Sequence, residues 1–207
     1  MIISESKNLI FIHVQKTAGT SFSQLLEPYA LQPSAGRWNK ISSDMGLVKD
    51  WRKFYFRKHA SLSKVEKILP AEVYLNYFKC AFVRNPWDRL VSWYNYVQGT
   101  PSHSDYKLGE SFNDFAMRFI SKPRRAQWWM LENTQGELGL DFIGRFERLH
   151  EDIDHICKMR GIPFTALPQH NKIPDKDFRG FYDDALAEAV QNAWHTEIDY
   201  FGYTFDT

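Results

Sequence analysis

The chain has 207 residues, 43% hydrophobic and 16% aromatic, enough to bury one sizeable core and read here as a single domain over 1–207. Its formal net charge of +1 gives no basis for general nucleic-acid binding, so any anion site must be local. Cys80 and Cys157 have no zinc-ligand spacing and stand in apolar patterns, which predicts two buried thiols and no metal site.

The first element is Leu9–Val14, apolar and β-branched enough for a strand buried on both faces. It is too short to span a membrane and is not shaped like a signal peptide, so the expected location is cytoplasmic, with no transmembrane segment. Gln15 to Ser21 follows as a small-residue loop with one lysine. Phe22, Leu25 and Leu26 then supply the apolar face of a helix. A strand that feeds a helix through such a loop aims free backbone N–H groups and the positive helix end at one point, which suits a phosphate or related anion. Lys16 adds a full charge there, and Thr17, Thr20 and Ser21 add hydroxyls. An ordinary βα turn with a solvated lysine is the plain alternative. The loop is not the nucleotide-triphosphate P-loop, because Lys16 precedes Gly19 instead of following a terminal glycine.

From Pro28 to Trp51 the pattern is irregular, with Pro33, Gly36 and Gly46, and predicts at most short helices. Ser63 and Glu66 have capping-box spacing, which predicts a helix over 63–69 stopped by Pro70. His59 falls just before it; from spacing alone it reads as a surface or satisfied core histidine. Phe78–Val83 reads as a second buried strand. Asn85, Pro86 and Asp88 then supply a cap, a first-turn proline and a dipole partner for a helix carrying Leu90, Val91, Tyr94 and Val97. A triphosphatase would be expected to end this strand on a metal-binding aspartate, whereas here it ends on Arg84. An arginine fork with Ser92, eight residues on and close to the same helical azimuth, makes a receptor for a terminal phosphate. Asp88 and Arg89 read as a structural ion pair.

Residues 98–110 hold Gly99, Pro101 and Gly109 and read as a mobile loop and candidate lid. Ser111 and Asp114 open another helix. Lys122, Arg124 and Arg125 with Trp128 and Trp129 could grip an acidic sugar, but such a cluster is more often a solvated face over core tryptophans. Phe142–Gly144 reads as a third strand, followed by a helix over 148–159. Residues 167–172 read as a loop, and 183–199 as one closing helix.

The order His-x-x-Lys-Thr-Ala-Gly-Thr-Ser, from His13 to Ser21, resembles the 5′-phosphosulfate loop of the sulfotransferases that use 3′-phosphoadenosine 5′-phosphosulfate (PAPS), most closely the carbohydrate O-sulfotransferase branch and its bacterial relatives. Arg-Asn-Pro-Trp-Asp-Arg-Leu-Val-Ser, from Arg84 to Ser92, resembles that family's 3′-phosphate motif, and Ile143–Glu147 resembles a further family segment. The resemblance implies that Lys16, Thr17, Ala18, Gly19, Thr20 and Ser21 hold the 5′ end of the donor and that Arg84 and Ser92 hold its 3′-phosphate. It makes Asn171 and Lys172 second-rank nucleotide contacts, Lys16 a catalytic charge, and His59 the base for an acceptor hydroxyl, on a saccharide or glycan. It also implies 3′-phosphoadenosine 5′-phosphate as product, no metal requirement, and an α/β fold: a three-layer P-loop-like domain with a mainly parallel central sheet flanked by helices. The competing readings are a P-loop nucleotide kinase or NTPase, and a non-catalytic module binding a nucleotide or sulfated sugar.

Overall fold

The computed structural model describes residues 1–33, 36–164 and 177–206. Its strands are β1 (Ile2–Ser4), β2 (Leu9–Ile12), β3 (Phe78–Val83) and β4 (Phe142–Arg145). The helices, in chain order, are α1 (Gly19–Leu26), α2 (Arg37–Asp44), α3 (Leu62–Ile68), α4 (Ala71–Asn76) and α5 (Pro86–Gln98). They continue with α6 (Phe112–Ile120), α7 (Trp128–Leu131), α8 (Leu149–Arg160), α9 (Asp184–Ala193) and α10 (His195–Phe201). The chain divides into two compact units, Met1–Phe82 with Met130–Pro168, and Val83–Trp129 with Gln169–Thr207.

In the first unit the sheet order is β1-β2-β3-β4, with β1 antiparallel to β2 and β2 parallel to β3. The sheet is mixed, so the expected mainly parallel arrangement holds in part. The departure is β1, whose three residues are too few to carry a periodic signal; it returns into β2 through a tight turn at Glu5–Asn8 that puts Asn8 at φ 46°. The expected strand over 9–14 ends at Ile12, where the Val14 N–H bonds back to the Ile12 carbonyl. Every residue of β2 is buried, as its apolar run requires. On one face Leu9, Phe11, Cys80 and Phe82 meet Phe22 and Leu26 of α1 and Ile153, Ile156 and Cys157 of α8. Gly144 of β4 is held to glycine by close approach, because a Cβ there would lie 2.4 Å from the Phe82 ring. Both cysteines are free and buried, and burial pushes the Cys157 thiol up to about 11. The parallel register, with Ile12 beside Ala81, sends β2 and β3 out at the same end of the sheet.

Other boundaries move for local reasons. The helix expected over 63–69 is Leu62–Ile68, with Ser61 at its N-cap. Glu66 does not close a capping box; its carboxylate accepts from the Thr134 N–H at 2.6 Å. Among its described residues, the irregular 28–51 segment holds only short helices.

In the second unit α5 starts as expected. The Asn85 side chain accepts from the Trp87 and Asp88 N–H groups, Pro86 occupies the first turn, and the Asn85 amide donates to the Thr204 carbonyl. Within the expected mobile loop over 98–110, Asp105 and Glu110 are tied to neighbouring helices. Asp105 is buried and takes the Arg125 guanidinium at 2.5 Å, while Glu110 pairs with Arg118 at 2.6 Å and its carbonyl accepts from the Tyr94 hydroxyl. Arg124 lies over the Trp129 ring, and Arg125 over Trp93 and Phe119, so these two cations pack on aromatic rings, while Trp128 and Trp129 are half-buried and not the core tryptophans of the plainer reading. The single helix expected over 183–199 breaks at Trp194 into α9 and α10. Trp194 leaves helical geometry at ψ 25° and is buried, as is Glu197 one turn later.

Candidate functional site

Beyond β2 the chain makes two left-handed turns within three residues, Lys16 at φ 66° and Ala18 at φ 57°, and enters α1 at Gly19. Non-glycine residues occupy this region at an energetic cost and do so mainly where surrounding structure holds them. Such alternation turns backbone N–H groups toward a common point at the start of α1, where the Ser21 N–H closes back on the Ala18 carbonyl at 3.1 Å. Thr17 is fully buried and its hydroxyl donates to the Val14 carbonyl at 3.0 Å. Its hydroxyl proton is thus spent on the loop, which corrects the sequence expectation of a free hydroxyl donor. Thr20 is exposed and its hydroxyl accepts from Lys58 Nζ at 3.4 Å. Lys58 brings a second cation to α1, and an open groove of about 360 Å³ beside it is lined by Thr20, Ser23, Gln24, Glu27 and Lys58.

His13 ties this loop to His59. Its ring is buried, stacks on Phe11 at 5.7 Å and meets the His59 ring edge-on at 4.8 Å. Its Nδ1 is 3.3 Å from the Ser23 hydroxyl. Burial drives its pKa down to about 2, with the nearby charge of Lys58 adding, so the ring is neutral. Gly19 is required at this contact: a Cβ would lie 2.4 Å from His13 Cδ2.

His59 is half-buried, and its Nδ1 lies 2.9 Å from the His13 carbonyl oxygen. A carbonyl oxygen only accepts, so Nδ1 carries the hydrogen and the lone pair is on Nε2. Burial lowers the His59 pKa, partly opposed by this bond, which keeps the ring neutral and able to take a proton at neutral pH.

In the second unit Arg84 binds Asp88 through both arms of its fork, Nε to Oδ2 at 2.6 Å and Nη2 to Oδ1 at 2.8 Å. The expected Asp88–Arg89 pair is corrected: the partner of Asp88 is Arg84. Arg89 is buried, donates to the Arg125 carbonyl at 2.6 Å and lies over the Trp194 ring. Burial lowers its pKa to about 10, opposed by Glu197. Arg84 precedes the Asn85 cap and is not part of α5, so the eight-residue spacing sets no shared azimuth with Ser92, which is buried on that helix.

Two residues that the sequence reading passed over hold Arg84 in place. The fully buried Gln127 side chain accepts from the Arg84 N–H and donates to the Arg84 carbonyl, each at 2.9 Å, a two-bond clamp of the kind a neighbouring strand provides. Glu197 takes the Gln127 amide at 3.3 Å and the Trp128 N–H at 3.0 Å. Burial raises the Glu197 pKa, while Arg89 and these donors oppose the rise. Gln127 carries no sequence signal. Glu197 does, as an acid set among Trp194, Ile198 and Phe201 on an otherwise apolar stripe.

The structure thus brings His13, Gly19, Ser23 and His59 together in one unit, with Thr20 and Lys58 in contact beside them, and Arg84, Asp88, Gln127 and Glu197 in the other. Asn171 and Lys172 lie outside the described residues. Among the described residues no group of acids, histidines and cysteines is arranged to hold a metal ion, and no helix is long and apolar enough to cross a membrane. An uncharacterized protein of Archaeoglobus fulgidus is 29% identical over 104 residues, covering 50% of this chain and 83% of that protein. Residues 1–204 match the family described as the sulfotransferase family. With the match running through both units, the chain belongs to the sulfotransferase family.

Proposed function

We propose that this protein transfers a sulfo group from PAPS to an acceptor hydroxyl on a carbohydrate, acting as one domain over 1–207 in a cytoplasmic setting. The observation that carries the reading is the loop before α1, where Lys16 and Ala18 take left-handed conformations beside a helix start. That geometry fits an anionic phosphosulfate: backbone N–H groups of Thr17, Ala18, Gly19 and Thr20, with the Ser21 hydroxyl, receive the 5′-phosphate, and Lys16 lies with the bridging and sulfonate oxygens. Arg84 and Ser92 take the 3′-phosphate, with Asn171 and Lys172 as further nucleotide contacts.

The donor supplies an electrophilic sulfur on a good leaving group. As the acceptor oxygen bonds to sulfur, the bond from sulfur to the 5′-phosphate oxygen breaks and His59 Nε2 takes the hydroxyl proton. Lys16 and the loop N–H groups offset the charge that builds on the departing phosphate. Positioning and charge carry such a transfer, and the protein's own cations and N–H groups meet both needs without a metal. A saccharide acceptor is supported by the sequence resemblance of the two loops to the carbohydrate branch. The test is transfer of labelled sulfo groups to a panel of glycans. Lys16→Ala should lower turnover by about 100-fold or more, the scale of a lost transition-state charge contact; turnover close to the parent would remove Lys16 from the chemistry.

A further inference from the structure

Helix α2 faces the wrong way for a core helix. Its polar residues turn inward: Ser43 is buried and accepts from the Tyr55 N–H at 2.9 Å, and the Asn39 amide donates to the Lys53 carbonyl at 2.9 Å. Its apolar residues turn outward, with Trp38 83% exposed, Ile41 38% and Met45 67%, and Leu47 just beyond them is 65% exposed. Trp38, Ile41 and Met45 are spaced three and four residues apart, so they share one helical face. Leaving a tryptophan and three aliphatic side chains in water on one stripe marks a contact surface.

The charge around this stripe says what it meets. Residues 37–58 carry seven lysines and arginines against Asp44 and Asp50, in a chain whose net charge is only +1. Arg52 pairs with Glu5, Lys53 with Asp50 and Arg57 with Asp44, and Lys58 reaches Thr20, so the cations left to this stripe are Arg37, Lys40 and Lys49. Arg37 and Lys49, which bracket the apolar stripe in sequence, are both exposed, as is Lys40 within it, whose ammonium lies over the Tyr55 ring. An apolar stripe with an indole, set among excess positive charge, matches a boundary that is apolar inside and anionic outside.

We propose that α2 and the turn after it dock this protein on an anionic lipid surface, with Trp38, Ile41, Met45 and Leu47 entering the headgroup boundary and the flanking cations lying over lipid phosphates. The helix lies on the surface and does not span it; eight residues are far too few. The proposal stands apart from the sulfotransfer reading, though it would bring the protein to acceptors that are themselves lipid-linked.

The full chain is sedimented with vesicles of phosphatidylcholine alone and with vesicles containing about one-third phosphatidylglycerol. Binding to the anionic vesicles is expected, with loss as salt rises and little binding to the neutral ones. Trp38→Ser with Met45→Ser should weaken it about tenfold or more through lost apolar burial, and Arg37→Glu with Lys49→Glu should weaken it at low salt. These residues sit on the outer face, so circular dichroism and the melting temperature should stay at the parent values. Absence of binding to either vesicle would overturn the proposal, as would binding that the two double variants leave unchanged. A concentration-dependent doubling of mass in solution, abolished by Trp38→Ser, would assign the face to a second copy of the chain instead.

Discussion

Gly19→Ala tests whether the anion loop and the histidine pair are one packed unit. Alanine at the start of α1 would ordinarily help, by at most about 0.5–1 kcal/mol, because glycine loses more backbone freedom on folding. Here the added Cβ would lie 2.4 Å from His13 Cδ2 and 2.7 Å from Nε2. The ring cannot swing aside cheaply, since it is buried between Phe11, His59 and the Ser23 hydroxyl. Overpacking of this kind costs about 1–3 kcal/mol. The clash therefore offsets or outweighs the propensity gain, and a net loss of up to about 2.5 kcal/mol is expected. Urea unfolding followed by circular dichroism should show a lower midpoint at unchanged slope. Transfer should slow as well, because the His13 peptide that would be displaced carries the carbonyl bonded to His59. In a His13→Ala background the obstruction is gone and Gly19→Ala should cost nothing or stabilise, giving a clear coupling energy between the two sites. A Gly19→Ala protein more stable than the parent, or an equal cost in both backgrounds, would refute the reasoning.

Two further predictions concern the sites themselves. Because burial lowers the His59 pKa and the base must be unprotonated, the transfer rate should rise with pH through a midpoint below the ordinary imidazole value of 6.5 and then level off; His59→Gln should abolish that inflection and the turnover while keeping nucleotide binding, and an unchanged profile would free His59 of the role. Gln127→Ala removes both bonds to the Arg84 backbone, so it should narrow the preference for 3′-phosphoadenosine 5′-phosphate over adenosine 5′-phosphate by about tenfold, the worth of one to two hydrogen bonds near a charged group. Equal weakening of both nucleotides in calorimetry would mean that Gln127 only supports the fold.

How far the sequence revealed this molecule depended on whether the signal was local. The start of α5 was readable because Asn85, Pro86 and Asp88 act within one turn, and the buried strands because their apolar runs are continuous. Glu66 shows the opposite case: its spacing to Ser63 suggested a local cap, yet the carboxylate binds Thr134, sixty-eight residues away. The sequence pairs Asp88 with its neighbour Arg89, but helix geometry turns Arg89 into the interior and leaves Asp88 for Arg84, four residues back. The histidine pair followed the same pattern. His59 was singled out through the likeness of the flanking motifs, while the carbonyl of His13, forty-six residues away, fixes its tautomer only in the folded chain. The break at Trp194 leaves no mark in the periodicity, because Leu186, Val190, Trp194 and Ile198 keep a four-residue spacing across it.

The account stands most directly on whether this chain grips a 3′-phosphorylated nucleotide. A calorimetric titration with 3′-phosphoadenosine 5′-phosphate, with and without magnesium, should give tight binding that the metal does not alter and that Arg84→Ala loses. Absence of that binding, with ATP–magnesium bound in its place, would contradict the account and assign the two loops to a kinase or NTPase.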